Sequence, residues 1–552
     1  MTQVPDNWPN WVPHSINYPE IPLHQLLDES AKKFPENIAI IFQDKKITYR
    51  ELTEKVSSFA TGLQKLGLVK NDRVAIYLPN IPQFIISYYG ALKAGAIVTS
   101  ISPLFKENEL RHQLTDSGSD TLIMLDLFYP LFEKIKSETN VKRVIVTSIK
   151  DYLPRLKRLI GSFLGKIQSY DIKEKDLLFF EDLTSSPPEL IEIEFDPVND
   201  FALLQYTGGT TGLPKGVMLT HYNLVSNAYM CNAWYGAEPG KDTHLCVLPF
   251  YHVLGMTATM NTAIASASTM ILIPRFDVVE VLKSIDKYKA TLFCGVTALY
   301  SALLKHPDIK NYDLSSLNFC ICGASALPPE IQKQFMDMTG SVLVEGYGLT
   351  EASPVTHVNP MDPSLETVKI GSIGFSLPDT LAKIVAPISG EELPNGEAGE
   401  LVIKGLQVMK GYWNNPEETT MALRDKWLIT GDIARKDNDG YFFLVDRAKD
   451  LIKYKGHSVF PREIEDVLYE HPAVKLCAVV GVPDEVSGEI PKAFIVLNDE
   501  VEVSEEEIIQ FVKDRVAAYK IIRKVEFRRE LPMSSVMKIL RRELRNESQK
   551  NG

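Results

Sequence analysis

Three short apolar runs near the start of the chain, each set apart by a helical pattern, restrict its architecture more than any other feature. "NIAIIF" (37–42), "RVAIYL" (73–78) and "AIVTSIS" (96–102) are rich in β-branched residues and read as buried strands. After a turn at "QDKK", Leu52, Val56, Phe59, Leu63 and Leu66 recur at helical spacing and stop at Gly67. Thr48 followed three residues later by Glu51 makes a capping box for that helix. "PQFIISYYGALKAG" (82–95) reads as a second helix. Strand and helix in alternation predict largely parallel sheets covered by helices, so the expected class is α/β.

The 552 residues exceed what one hydrophobic core accommodates, so two or more domains are expected. Texture changes near the end. A hairpin signal, "DNDG" (437–440), is followed by a dense run of charge, then by a helix from about Pro461. Two β-rich stretches, "LCAVVGV" and "KAFIVL", and another helix complete a small α+β unit of about a hundred residues. Its boundary is expected between Val445 and Asp450.

Composition narrows the function classes. The chain is 45% hydrophobic and 24% charged, as in ordinary globular proteins, and a net charge of −12 argues against nucleic acid as a partner. Cys231, Cys246, Cys294, Cys320, Cys322 and Cys477 form no CxxC pair, as expected of buried reduced thiols in a cytoplasmic protein. The start, "MTQVPDNWPNWVPHS", lacks the basic and apolar regions of a signal peptide. Thr243 to Pro274 contains no Asp, Glu, Lys or Arg, which is long enough to cross a bilayer. Pro249, His252 and Asn261 interrupt it, so it is read as several short elements of a buried core. Around 153–176, Leu156, Leu159, Ile160, Phe163 and Leu164 share one helical face flanked by Arg155, Lys157, Arg158 and Lys166. Such a helix fits a surface packed on its own domain, and peripheral contact with the inner face of the membrane stays open.

The chemistry centres on "YTGGTTGLPKGVMLTHY" (206–222). Glycines let backbone N–H groups turn toward an anion, and threonine hydroxyls add donors or reach a metal. The order differs from a Walker A loop, because Lys215 follows Pro214 and precedes Gly216.

This loop resembles the phosphate loop of the acyl-adenylate-forming superfamily, and further motifs follow in the family's order. They are "LPFYHVLGM" (248–256), "GASALP" (323–328), "EGYGLTEASP" (345–354), "ITGD" (429–432), "VDRAKDLIKYKGHSVFPREIE" (445–465) and "LPMSSVMKILRREL" (531–544). The resemblance spans nearly the whole chain and is nearest to the fatty-acid–CoA ligases. It implies a large domain over 1–446 with a β-rich subdomain, a hinge at 447–450 and a small mobile domain over 451–552. The implied reaction joins a fatty acid to AMP with release of pyrophosphate, then passes the acyl group to coenzyme A. ATP and CoA are co-substrates and Mg2+ the metal. An aryl or short-chain acid, or a carrier protein as acceptor, stays open, as does a homodimer.

The resemblance also implies roles. Thr207, Gly208, Gly209, Thr210, Thr211, Gly212 and Lys215 wrap the outer phosphates. Glu351 holds Mg2+ with Thr207, and Thr350 touches the α-phosphate. Gly323, Ala324, Glu345, Gly346 and Tyr347 frame the adenine. Asp432 takes the ribose hydroxyls, with Arg447 beside it. His252 lies at the mouth of the acid pocket. Lys538 bridges the acid and the α-phosphate. Lys449 is the hinge position, and Lys453 and Gly456 belong to a second, thioester-forming face. Two departures limit the carry-over: Met256 stands where some long-chain members have Trp, and Ser458 where many have Gln.

Overall fold

The computed structural model describes the chain except residues 1–4, 6, 155–169, 171, 173–176, 208–213, 448–449, 456, 485–486, 499–500, 535–536 and 551–552. The basic amphipathic pattern of 153–176 therefore lies almost wholly outside the described residues. Among the described residues the strands form four sheets, of nine, eight, five and five strands.

The three opening runs fold as read. Arg73–Tyr77 and Ile97–Ser100 pair in parallel, with Arg73 beside Ile97 and Ile76 beside Ser100. They occupy the middle of the eight-stranded sheet, where strand residues such as Val74, Ile76 and Val98 are wholly buried. A strand covered on both faces needs apolar residues in succession rather than alternation, which is what these runs supply. Tyr49–Lys65 and Pro82–Lys93 are the expected helices. Thr48 Oγ1 accepts the Glu51 N–H at 3.2 Å, and the Glu51 carboxylate accepts the Thr48 N–H at 2.9 Å, closing the capping box.

The turn read at "QDKK" is shorter than expected, because its two lysines begin a strand. Lys45–Thr48 returns antiparallel to Ile38–Phe42 and forms the edge of the nine-stranded sheet. Gln43 and Asp44 make the two-residue turn between them, both at positive φ, which is the hairpin geometry that matches strand twist. Two lysines hid the strand, because an edge tolerates charge.

The uncharged run from 243 to 274 resolves into the strand Thr243–Cys246, a π-helix Leu254–Asn261, the short helix Thr262–Ala265 and the strand Thr269–Leu272. Among the described residues no helix is long and apolar enough to cross a membrane. All six cysteines are buried and free.

Residues 381–447 build an antiparallel five-stranded sheet, and the "DNDG" turn joins its strands Trp427–Lys436 and Phe442–Arg447. The last part of the chain has its own sheet, in which Val474–Asp484 and Gly488–Leu497 form a long hairpin. Its apolar clusters, from Ile452 to Leu544, draw only on residues beyond 451. The protein is thus an α/β molecule with a β-rich section and a small C-terminal domain.

Candidate active site

The site is assembled where the two large sheets, the β-rich section and the C-terminal domain meet. Thr207 ends the strand Phe201–Thr207 and pairs with Lys215, the first residue of the antiparallel strand Lys215–Thr220. Gly208, Gly209, Thr210, Thr211 and Gly212 lie outside the described residues. Lys215 Nζ rests 2.8 Å from a Glu418 oxygen.

The turn Thr350–Ala352 packs against the strand Lys215–Thr220, so Glu351 stands near the strands that flank the glycine- and threonine-rich segment. Gly348 makes this turn possible. A Cβ there would lie 2.1 Å from the Pro354 carbonyl oxygen, so any side chain would push the returning segment away. Tyr412 OH donates to Glu351 Oε1 at 2.8 Å, and the Met409 N–H donates to the Glu351 carbonyl at 2.8 Å. Both the carboxylate and its backbone are therefore fixed. Tyr412 was not foreseen; its "GYW" context has no periodicity that would mark it.

Asp432 and Arg447 face each other across neighbouring strands and form an ion pair at 3.2 Å. Tyr347 OH donates to the other Asp432 oxygen at 2.6 Å. Burial, reinforced by Asp432, pushes the Tyr347 phenol well above its usual range, so it remains a donor. Tyr347 itself is packed among Ile373, Ile384, Leu401 and Phe442. Gly323 and Ala324 follow the strand Phe319–Cys322, and Gly346 lies in the neighbouring strand Val342–Gly348. Ala324 adopts positive φ. Glu345, expected at the adenine, has its carboxylate engaged elsewhere: both oxygens accept from Arg462 Nη2, at 2.9 and 2.8 Å.

Lys538 arrives from the C-terminal domain. Its loop is closed by Ser534 N–H to Lys538 C=O at 2.7 Å, Lys538 N–H to Ser534 Oγ at 3.1 Å, and a bridge between Met533 and Ile539. The adjacent Met537 packs on the large domain's apolar core. The charges acting on the Lys538 ammonium are Arg447, Asp432, Arg541 and Asp450, with Arg447 the strongest. Repulsion from Arg447, then burial, lowers its pKa to about 7. His252 is lowered to about 4, first by burial and then by Lys538. Two residues read from motifs almost three hundred positions apart thus act on one another.

Not every expected residue joins this cluster. Lys453 is exposed on the strand Ile452–Tyr454, its N–H donating to Glu489 at 2.8 Å. Lys449 and Gly456 lie outside the described residues. Elsewhere in the C-terminal domain, Lys520 is paired with Glu463, and Arg528 with Glu526 and Glu547.

This arrangement offers hydroxyls, a fixed carboxylate, an aspartate–arginine pair and a cation on a separate domain, parts that a nucleotide-activating site can use. Comparison with known proteins decides the family. The AMP-binding enzyme model matches residues 27–413, and the AMP-binding enzyme C-terminal domain model matches 463–538. The chain belongs to the AMP-binding enzymes. Among members of this family, it is similar to the long-chain-fatty-acid–CoA ligase of Bacillus subtilis (strain 168), at 46% identity, covering 99% of this chain and 98% of that one. The ligase of the same name from Salmonella typhimurium is 39% identical, with 98% of each chain covered. The fold is similar to the crystal structure of the anthranilate CoA ligase AuaEII in complex with anthranoyl-AMP. That match has a TM-score of 0.85 and 27% identity, covering 96% of this chain and 98% of the other.

Proposed function

We propose that this AMP-binding enzyme is an ATP-dependent long-chain fatty-acid–CoA ligase working through an acyl-adenylate. The observation that carries the mechanism is Lys538, held by the small domain beside Asp432, Arg447 and His252. The names of its relatives support the class of acid.

A carboxylate is a poor electrophile until it gains a leaving group. In the first half-reaction a carboxylate oxygen attacks the α-phosphorus of ATP, the bond to the β-phosphate oxygen breaks, and pyrophosphate leaves. Both reactants are anions, so their approach is limited by repulsion. Lys538 lies between them and offsets that charge as they close. Asp432 takes the ribose hydroxyls as a bidentate acceptor, exchanging part of its present pairing with Tyr347 and Arg447. Thr350, Lys215 and residues 207–212 hold the phosphate chain. Glu351 and the Thr207 hydroxyl are hard oxygen donors, a set that suits Mg2+ rather than a softer metal. With Glu351 Oε1 anchored by Tyr412, the carboxylate is pre-oriented to hold the ion. Bound there, Mg2+ supplies screening of the phosphate oxygens.

In the second half-reaction the CoA thiol attacks the acyl carbon and AMP leaves. Lys538 has no work in that step. The small domain therefore turns about 447–450, withdraws Lys538 and brings up the face that carries Lys453 and Gly456.

The decisive experiment is AMP release with acids from acetate to palmitate and several aryl acids, with and without CoA. Palmitate is expected to exceed acetate and benzoate in kcat/KM by about a hundredfold or more, with turnover dependent on CoA. Preference for an aryl acid, or release without CoA, overturns the reading.

A pH dependence follows from Lys538. Its folded pKa is lowered to about 7 from the usual lysine value, so the useful cation is present below that and lost as pH rises through it. kcat/KM for ATP in acid-dependent pyrophosphate exchange is expected to fall on the alkaline side with an apparent pKa near 7. The kcat profile is displaced upward, because bound polyphosphate favours the cation. Lys538→Arg should remove the alkaline limb, as guanidinium stays charged. An unchanged limb in that variant assigns the titration to another group.

A further inference from the structure

We propose that Arg462 is a positioning residue for adenylation: it latches the C-terminal domain to the strand carrying Tyr347 and so sets Lys538 over the reacting groups. The inference rests on the adenylation reading above.

Arg462 is the second residue of the helix Pro461–Tyr469, whose remaining apolar face belongs to the C-terminal domain. Its guanidinium leaves that domain. Both Glu345 oxygens accept from Nη2, and the pair is buried, Arg462 at 9% exposure and Glu345 at 3%. Glu345 precedes Tyr347 by two residues on the strand Val342–Gly348, and Tyr347 OH reaches Asp432. The Arg462 N–H makes a second crossing, donating to Asp446 Oδ2 at 3.1 Å. Asp446 Oδ1 lies 3.9 Å from Arg541 Nη1, and Arg541 Nε donates to Glu465 at 3.1 Å. Arg541 stands three residues after Lys538. One polar path thus runs from the nucleotide side, through Arg462, to the root of the loop that presents the lysine.

A charge pair suits a contact that must be both exact in orientation and reversible. Pulled apart within the interface, it leaves the buried Glu345 carboxylate unpaired and Arg462 with only the attraction of Asp466 and Asp446, so small misrotations are strongly disfavoured. Separated fully, both groups regain water, so the open arrangement is not penalised as exposed apolar surface would be. An apolar contact of the same area would hold the domain less selectively and release it less readily.

The test uses the full chain and reads the two half-reactions separately. Arg462→Met is expected to lower kcat for acid-dependent ATP–pyrophosphate exchange about tenfold or more, with KM for ATP within about threefold. Conversion of supplied acyl-AMP and CoA to thioester should stay within about twofold, because that step does not use the latched arrangement. Arg462→Gln, which keeps a donor without the charge, is the second variant should the methionine form fold poorly, and the same selective loss is expected. Arg462→Lys should recover most of the exchange, since one nitrogen makes both bonds to Glu345. Unchanged exchange in both neutral variants, or an equal fall of both half-reactions in each, overturns the latch. Absence of exchange in the unsubstituted enzyme is a different failure, which overturns the adenylation reading and this proposal with it.

Discussion

Lys538→Ala is expected to lower acid-dependent pyrophosphate exchange about a thousandfold while leaving the conversion of acyl-AMP to thioester nearly intact. The size follows from the role proposed for what is removed: a cation that would offset repulsion as carboxylate and α-phosphate approach, in a site where charge is poorly screened. The selectivity follows from how the loop is built. Ser534 N–H to Lys538 C=O and Lys538 N–H to Ser534 Oγ are both made through the Lys538 backbone, so alanine retains them. Met537 still packs on the large domain. Removing the ammonium also relieves its repulsion with Arg447, so the variant should fold at least as well as the parent. Single-turnover measurement of each half-reaction checks the outcome. A parallel loss in both would make the lysine structural, and a loss confined to thioester formation would assign it to the wrong step.

Much of the fold was legible because its signals are local. The strands around Val74 and Val98 declare themselves by unbroken apolar runs, and the helix from Tyr49 by a capping box that the structure closes as read. Lys45–Thr48 escaped because an edge strand with one buried residue, Ile47, has neither an apolar run nor full alternation. The site divides in the same way. Thr207, Lys215, Glu351, Asp432 and Lys538 sit in motifs whose residue types suit anions and metals. Their partners do not: Tyr412 meets Glu351 across 61 positions, and Arg462 meets Glu345 across 117. No spacing rule reaches that far, so a carboxylate such as Glu345 was placed by its motif while its charge is satisfied from another domain. The Lys538 environment is legible only once the domains are docked, because Arg447 and Arg541 act on it through space.

Glu351→Gln removes a charge without changing shape, and its effect should be the next largest. Exchange is expected to fall about a hundredfold, with the Mg2+ concentration for half-maximal rate rising at least about tenfold. The reason is that a neutral amide oxygen is a weaker ligand for a hard divalent ion than a carboxylate. The scaffold around residue 351 should survive. Tyr412 OH can donate to the amide oxygen as it does to Oε1, and the bond from Met409 N–H to the residue 351 carbonyl is untouched. Thioester formation from acyl-AMP lacks the outer phosphates and should change little. Mn2+ binding followed by paramagnetic relaxation, with a non-hydrolysable ATP analogue present, separates affinity from rate. Weaker Mn2+ binding together with slower exchange places the carboxylate on the metal. Unaltered Mn2+ binding with slower exchange would instead leave Glu351 as an anchor for Tyr412, acting on the phosphate loop through the strand Lys215–Thr220 against which its turn packs.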